Sequence, residues 1–333
     1  TDFSQWWTVF EDPTLNRLVQ SAYKENLTLR IAGLRILEAR ALLGVAIGRQ
    51  YPQQQVGVGD LAYNSISSHN ANTSFGDLTY SSLSIGFDAA WEMDFWGKFR
   101  RGIESSDAAL MASVANYDEA IVLVTAQLVS NYVTIRTLEE QLRIAQENLK
   151  LQQRSYDIAE VLYRNGQDSE LDVQQALALL LSTKATIPEL ETQLKLARNA
   201  MNTLLGQNTG YVETLIVPGP IPGVPEQIAI GIPADLLRRR PDVRQAELQA
   251  VAQNAQVGVA TADLYPSISL AGSIGLVSIS KDVGGGGGSN LFNSDSLSYS
   301  AGASFTWPVL NYGRIRNNVR VQDARLQQAL VAY

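Results

Sequence analysis

One histidine and no cysteine among 333 residues leave little with which to do chemistry. A zinc or thiolate site needs several soft ligands, and a Ser-His-Asp relay needs a base held by a third group. His69 lies alone in the polar stretch Ser67-Ser68-His69-Asn70 and reads as a solvated loop side chain. Met93, Met111 and Met201 are scattered and make no soft-metal relay. Glu92 and Asp94, two apart, share one face of an extended segment. Paired carboxylates can do acid–base work, but a polar strand face needs them equally. Arg238-Arg239-Arg240 could hold an anion, yet Pro241 and Asp242 directly after it are ordinary helix-start chemistry. The run Gly284 to Gly288 is followed by Ser289, with no Gly-Lys-Ser/Thr and no helix, so it reads as a surface loop and not a phosphate cradle. The net charge of −7, from 26 basic and 33 acidic residues, argues against nucleic acid as partner. No catalytic residue, cofactor or metal site is expected, and the chain does not read as an enzyme.

The elements are long. Residues 12–50 have a helical pattern that Tyr51-Pro52 stops. From Ser82 to Phe95, Leu83, Ile85, Phe87, Ala89, Trp91, Met93 and Phe95 alternate with mostly small or polar residues, the signature of a long strand. From Lys98 to Arg164 there is no proline, and an apolar seam steps by three and four through Leu110, Tyr117, Val124, Leu128, Ile135, Leu142 and Leu149, with Asn131 and Gln152 as polar interruptions. At 1.5 Å per residue such a helix reaches about 100 Å. Asn165-Gly166 breaks it, Ser169-x-x-Asp172 has the spacing of a capping box, and a second helix follows from Leu171 to Leu205. The two form an antiparallel hairpin. No run of 18 consecutive apolar residues suggests a membrane helix, whereas a spanning β-barrel never shows one.

The organisation recurs. Tyr265-Pro266 stands to its helix and strand as Tyr51-Pro52 does, 214 residues earlier. Tyr312-Gly313-Arg314-Ile315-Arg316 matches Trp96-Gly97-Lys98-Phe99-Arg100 at an offset of 216, as Trp307 matches Trp91. Each repeat reads helix, strand, loop, strand, long helix. The second stops at Tyr333, inside its long helix, so a second α-hairpin is expected to be missing. Four long strands, apolar on one face and small or polar on the other, cannot close a barrel alone; about eight are the usual minimum. Closure asks for further copies. Trp91, Phe95, Trp96, Trp307 and Tyr312 gather at strand-to-helix ends, where a membrane-interface girdle would sit.

Five stretches together carry a family resemblance: Trp6-Trp7 with Asp12-Pro13-x-Leu15; Trp91 to Lys98; Tyr163 to Val173; Ile232 to Val243; and Tyr265 to Ile268. In this order the chain resembles the TolC-like outer-membrane efflux factors, in particular the outer-membrane lipoprotein channels of tripartite resistance-nodulation-division pumps. The resemblance implies an α+β membrane protein. In that architecture a homotrimer builds a 12-stranded β-barrel, four strands per protomer, continued by a periplasmic α-barrel of coiled-coil hairpins. It implies a passive exit duct for drug efflux in the outer membrane of a Gram-negative bacterium. The partners implied are lipid, a periplasmic membrane-fusion adaptor and an inner-membrane transporter. Such lipoproteins carry a lipid-bearing N-terminal cysteine, which this chain lacks, and the chain is expected to be truncated at both ends.

The expected layout is a helical periplasmic segment over 1–52, a first β-hairpin over 53–96, the α-hairpin over 97–206, and a Pro/Gly-rich connector over 207–233. A second-repeat helix over 234–264, a second β-hairpin over 265–310 and the start of a long helix over 311–333 complete it. The hairpin tip, Arg164, Asn165, Gly166, Gln167, Asp168, Ser169, Glu170, Leu171 and Asp172, is the expected adaptor-docking site by the resemblance, although turn and cap chemistry alone explains Gly166 and Ser169. The competing reading is a soluble or peripheral coiled-coil scaffold that binds partners through the same hairpin.

Overall fold

Asp12 starts the first helix. Its side chain accepts hydrogen bonds from the backbone N–H groups of Thr14 and Leu15, and Pro13 occupies the first helical position, where no N–H is needed. Helix α1 (Pro13–Glu25) is followed by α2 (Leu27–Gly48), strands β1 (Gln54–Ser65) and β2 (Thr79–Met93), then α3 (Lys98–Arg164) and α4 (Glu170–Leu204). A short α5 (Tyr211–Leu215) leads on to α6 (Pro241–Ala262), β3 (Ser267–Ser280), β4 (Leu297–Thr306) and α7 (Arg314–Ala332). This computed structural model describes residues 5–69, 78–223, 239–280 and 291–333. Arg238, the run Gly284 to Gly288, most of the Ile232–Val243 stretch and the later part of the connector lie outside the described residues.

The chain forms two compact units, residues 1–35 with 115–241 and residues 36–114 with 242–333. In the first, α1, α4 and α5 close around the middle of α3. Leu15, Leu18, Val19, Leu128, Tyr132, Ile135, Met201, Leu205 and Val212 are all essentially inaccessible. The seam expected on α3 is deepest between Val124 and Leu138. Asn131 sits beside it, donating to the Ala197 carbonyl oxygen at 3.0 Å, and Tyr132 fills the seam position. By length and composition α3 also contains one 18-residue window apolar enough to cross a membrane, and 44% of that window is buried in the fold. A helix packed into its own core passes that test without meeting lipid.

The second unit holds one antiparallel sheet in the order β1-β2-β3-β4, so β1 and β4 are its edges. The register stacks Phe87, Ile274 and Tyr299 in one row and Ile85, Leu276 and Leu297 in the next. Most of that face is open: Ile85, Phe87, Leu270, Ile274, Tyr299 and Phe305 are all exposed. The opposite face carries Asp88, Ser84, Ser273, Ser300 and Ser304, with Val56, Val58 and Val277 among them. Beside the sheet, α6 meets α3 and α7 through small side chains. Ala250, Ala255 and Ala260 are buried, the Gln256 amide donates to the Ser105 hydroxyl at 2.8 Å, and the Gln253 amide donates to the Gln322 side chain at 2.9 Å.

On the polar face Gly86 and Gly275 are paired. A Cβ on Gly275 would stand 2.7 Å from the Ile85 carbonyl oxygen and 2.9 Å from the Gly86 Cα, both backbone atoms that cannot move aside. Gly275→Val is therefore expected to cost about 1–3 kcal/mol through forced backbone shifts. Gly302→Val, with nothing within 4 Å of its Cβ, is expected to be well tolerated. The yield of folded, heat-resistant protein measures both, and equal yields from the two variants would contradict the steric reading.

Candidate functional site

The α3–α4 turn is built from local hydrogen bonds. Gly166 takes φ +71°, the left-handed conformation that ends many helices. Its N–H donates to the Tyr163 carbonyl at 2.9 Å and the Gln167 N–H to the Leu162 carbonyl at 3.0 Å, satisfying carbonyls that the helix end would leave open. The Ser169 hydroxyl then caps α4, accepting from the Asp172 N–H at 3.3 Å and donating to the Asp172 carboxylate. The Ser169 hydroxyl, and after it Asp168, hold the Asp172 carboxyl below the usual carboxylate range. Among these residues only Asp168 is half-buried; Asn165, Gly166, Gln167, Glu170, Leu171 and Asp172 are exposed. Arg164 reaches back to Glu160 at 2.7 Å but keeps 71% of its side chain in solvent. The turn thus commits its serine and glycine to the fold and leaves Arg164, Gln167 and Glu170 facing outward. A loosely held cation, an amide and carboxylates are left exposed where the two helices join, and these residues contain no nucleophile–base pair.

The expected girdle residues sit at the strand-to-helix junctions, and all five are exposed. Their indole donors are occupied. Trp91 donates to the Gln50 carbonyl at 3.0 Å, Trp307 to the Leu264 carbonyl at 3.1 Å, and Trp96 to the Pro266 carbonyl at 2.7 Å. A satisfied N–H with an exposed ring suits a side chain that meets an apolar medium at one end and backbone at the other. Glu92 and Asp94 are also occupied: Asp94 accepts from the N–H groups of Phe99 and Arg100 at the start of α3, and Lys98 bridges Glu92 and Asp263 at 3.9 and 3.0 Å. A cleft of about 370 Å³ beside them is lined by Glu92, Asp94, Lys98 and Asp263, all engaged in capping and pairing, and by Arg314. His69 is exposed, 3.5 Å from the Ser68 hydroxyl.

A polar cluster in the first unit escapes reading from the sequence. The Tyr132 hydroxyl donates to Asp12 at 2.5 Å, while Arg136 donates through Nε and its second terminal nitrogen to the Tyr132 oxygen at 3.1 and 2.8 Å. Arg136 also reaches Glu139 at 3.0 Å and the Val217 carbonyl at 2.6 Å, and Arg198 pairs with Glu139 at 2.9 Å. This joins the start of α1, the middle of α3, α4 and the segment after α5. The available signal was Tyr132 and Arg136, one turn apart on the buried seam of α3.

Burial alone would push the Asp12 carboxyl up, but the Tyr132 hydroxyl and the two backbone donors outweigh it and hold the carboxyl low. Tyr132 is pushed up to about 12, first by burial and then by Asp12. The folded state therefore favours the Asp12 anion. Its contribution is present above about pH 4 and is lost as the pH falls through the lowered value. Tyr132 has the opposite sense: its contribution holds below about pH 10 and is lost as the pH rises toward 12. In urea melts, the stability gap between parent and Asp12→Asn should be widest near neutrality and shrink as the pH falls below about 4. A gap independent of pH would contradict the assignment.

The fold matches known proteins. The outer membrane efflux protein family model matches residues 18–207 and 232–333. Nodulation protein T of Rhizobium leguminosarum bv. viciae is 34% identical over 333 residues, covering 99% of this chain and 65% of that protein. The chain thus spans about two thirds of that relative's length. The outer-membrane channel OprN superposes with a TM-score of 0.89 at 35% identity, covering 99% of this chain and 72% of that one. CusC, described for conformational changes accompanying transmembrane channel formation, superposes at 0.82 with 28% identity, covering 99% and 74%. With most of the sequence matched by the family model and nearly all of the fold by channels of this kind, the chain belongs to the outer membrane efflux protein family, whose members reside in the outer membrane and extend into the periplasm.

Proposed function

We propose that the protein is the passive outer-membrane exit duct of a tripartite efflux pump. Three copies, each giving four strands, close a 12-stranded barrel. The α-hairpin extends into the periplasm, where its tip docks a membrane-fusion adaptor coupled to an inner-membrane transporter. The observation that carries this reading is the sheet. Its apolar face is open to the surroundings instead of packed on the chain's own helices, and both of its edges are free of partners among the described residues. A sheet greasy on one side and polar on the other suits lipid outside and water inside. Exposed apolar residues along the hairpin, such as Leu151, Ile158, Val161 and Leu179, suit a helical tube closed by neighbouring copies. The two helix–strand–strand–helix runs are read as a two-fold repeat.

The competing scaffold reading would leave the open sheet face in water. Full-length protein reconstituted into planar bilayers separates the two. Discrete ohmic conductance steps are expected from a duct; a protein that stays soluble without detergent and conducts nothing would defeat the proposal.

A further inference from the structure

The two halves of the chain build the same junction. Trp91 reaches the Gln50 carbonyl in the first half, as Trp307 reaches the Leu264 carbonyl in the second. A third contact links the halves. Trp96, just after β2, stacks on Tyr265, just before β3, with ring centroids 4.7 Å apart and planes 20° apart, and donates to the Pro266 carbonyl at 2.7 Å. It fastens the seam between β2 and β3 at its base.

By the repeat, the counterpart of Trp96 is Tyr312, just after β4, and the counterpart of Tyr265-Pro266 is Tyr51-Pro52, just before β1. Within one chain these cannot meet as their counterparts do, because β4 and β1 are the opposite edges of the sheet. Tyr312 is 99% exposed and Tyr51 63% exposed. Tyr312 also has φ +49°, a left-handed conformation that is uncommon for an aromatic residue. The turn from Asn311 to Arg314, closed by the Arg314 N–H on the Asn311 carbonyl at 2.9 Å, accounts for that backbone; what the single chain leaves without a neighbour is the Tyr312 ring.

We infer that Tyr312 of one copy stacks on Tyr51 of the next and donates its hydroxyl to the Pro52 carbonyl, repeating between copies the contact that Trp96 makes within the chain. This rests on the multimeric barrel proposed above, and the seam it forms continues the β2–β3 junction around the ring. The occupant is a second copy of this chain because the contact needs β1 and its preceding turn, which only another copy brings to the β4 edge.

Two differences from the internal junction refine the contact. The link to β1 is one residue longer, and Gln53 absorbs it: its amide donates to the Glu92 carbonyl at 3.2 Å and accepts from the Glu92 N–H at 2.7 Å, standing in for a strand residue. The ion pair between Lys98 and Asp263 has no copy, because its counterparts, Arg314 and Arg49, have the same charge. The aromatic contact therefore holds this end of the seam without an ion pair beside it.

The test uses the full-length protein in detergent, with cysteine only at Tyr51→Cys and Tyr312→Cys, treated with a short bis-maleimide. Covalent dimers and trimers are expected from the double variant and none from either single variant. In parallel, Tyr312→Ala should lower the temperature at which the assembly dissociates by a few degrees. Tyr312→Trp, which installs the residue found at the internal seam, should restore it. Multimers by native mass spectrometry without cross-copy linkage, or a Tyr312→Ala assembly as heat-resistant as the parent, would overturn the contact and leave the duct intact. A parent that is monomeric and fails to conduct would overturn both.

Discussion

Replacing Arg164, Gln167 and Asp168 together with alanine is expected to abolish export while leaving the assembly intact. The reason lies in how the turn divides its residues. Gly166 and Ser169 are consumed by the helix end and the cap, whereas Arg164 and Gln167 contribute little to the fold: one exposed ion pair and no side-chain bond beyond the turn. An exposed ion pair at i, i+4 is worth only about 0.3–0.5 kcal/mol. Truncating interface anchors typically costs 2 kcal/mol or more each, about 30-fold in affinity per anchor. Asp168 adds one local bond, accepting from the Ser169 N–H at 3.0 Å, so the triple variant should lose about 1 kcal/mol of turn stability at most and lose adaptor binding, measured by co-purification of the adaptor and by drug susceptibility of a strain that depends on this channel. Ser169→Ala is the counterpart: loss of about 1 kcal/mol of cap stability with export retained. Normal export from the triple variant would remove the docking role from the tip.

Arg136→Ala should give the largest loss of stability in the unit formed by residues 1–35 and 115–241. The Arg136 side chain is 4% exposed and Glu139 10%. Deleting the guanidinium takes donors from Tyr132, Glu139 and the Val217 carbonyl at once, and leaves Glu139 with Arg198 alone. Breaking a buried pair by removing one partner costs about 3–5 kcal/mol, because the other charge stays buried. Removing both charges, Arg136→Met with Glu139→Gln, should recover part of that loss, since no buried carboxylate is left short of its guanidinium and the new amide oxygen can still accept from Arg198. Urea unfolding followed by tryptophan fluorescence reports on this region, because Trp7 lies in the same core. A single variant within 1 kcal/mol of the parent would show that Tyr132 and Glu139 find other partners.

Much of this architecture was legible before any coordinates. Alternation from Leu83 to Met93 named the apolar face of β2, because side chains on a strand repeat every two residues whatever surrounds them, although the strand stops two residues short of the expected Phe95. Gly166 and the Ser169–Asp172 spacing marked the turn, because a left-handed glycine and a capping hydroxyl act within four residues. Trp91 and Trp307, matched by position in the sequence, each donate an indole N–H to a backbone carbonyl, of Gln50 and Leu264. The Asp12–Tyr132–Arg136 cluster was not legible. Asp12 and Tyr132 are 120 residues apart and meet only once α1 packs on α3, and Asn131, the more conspicuous polar residue, turned out to sit beside the seam.

Local period, capping and internal similarity were therefore set by the order of residues alone, because they depend on backbone geometry over a few positions. The identity of the exposed face, the partners of the buried charges and the solitary Tyr312 were decided by the tertiary structure. Those depend on which distant surfaces come together and on which find no partner within one chain.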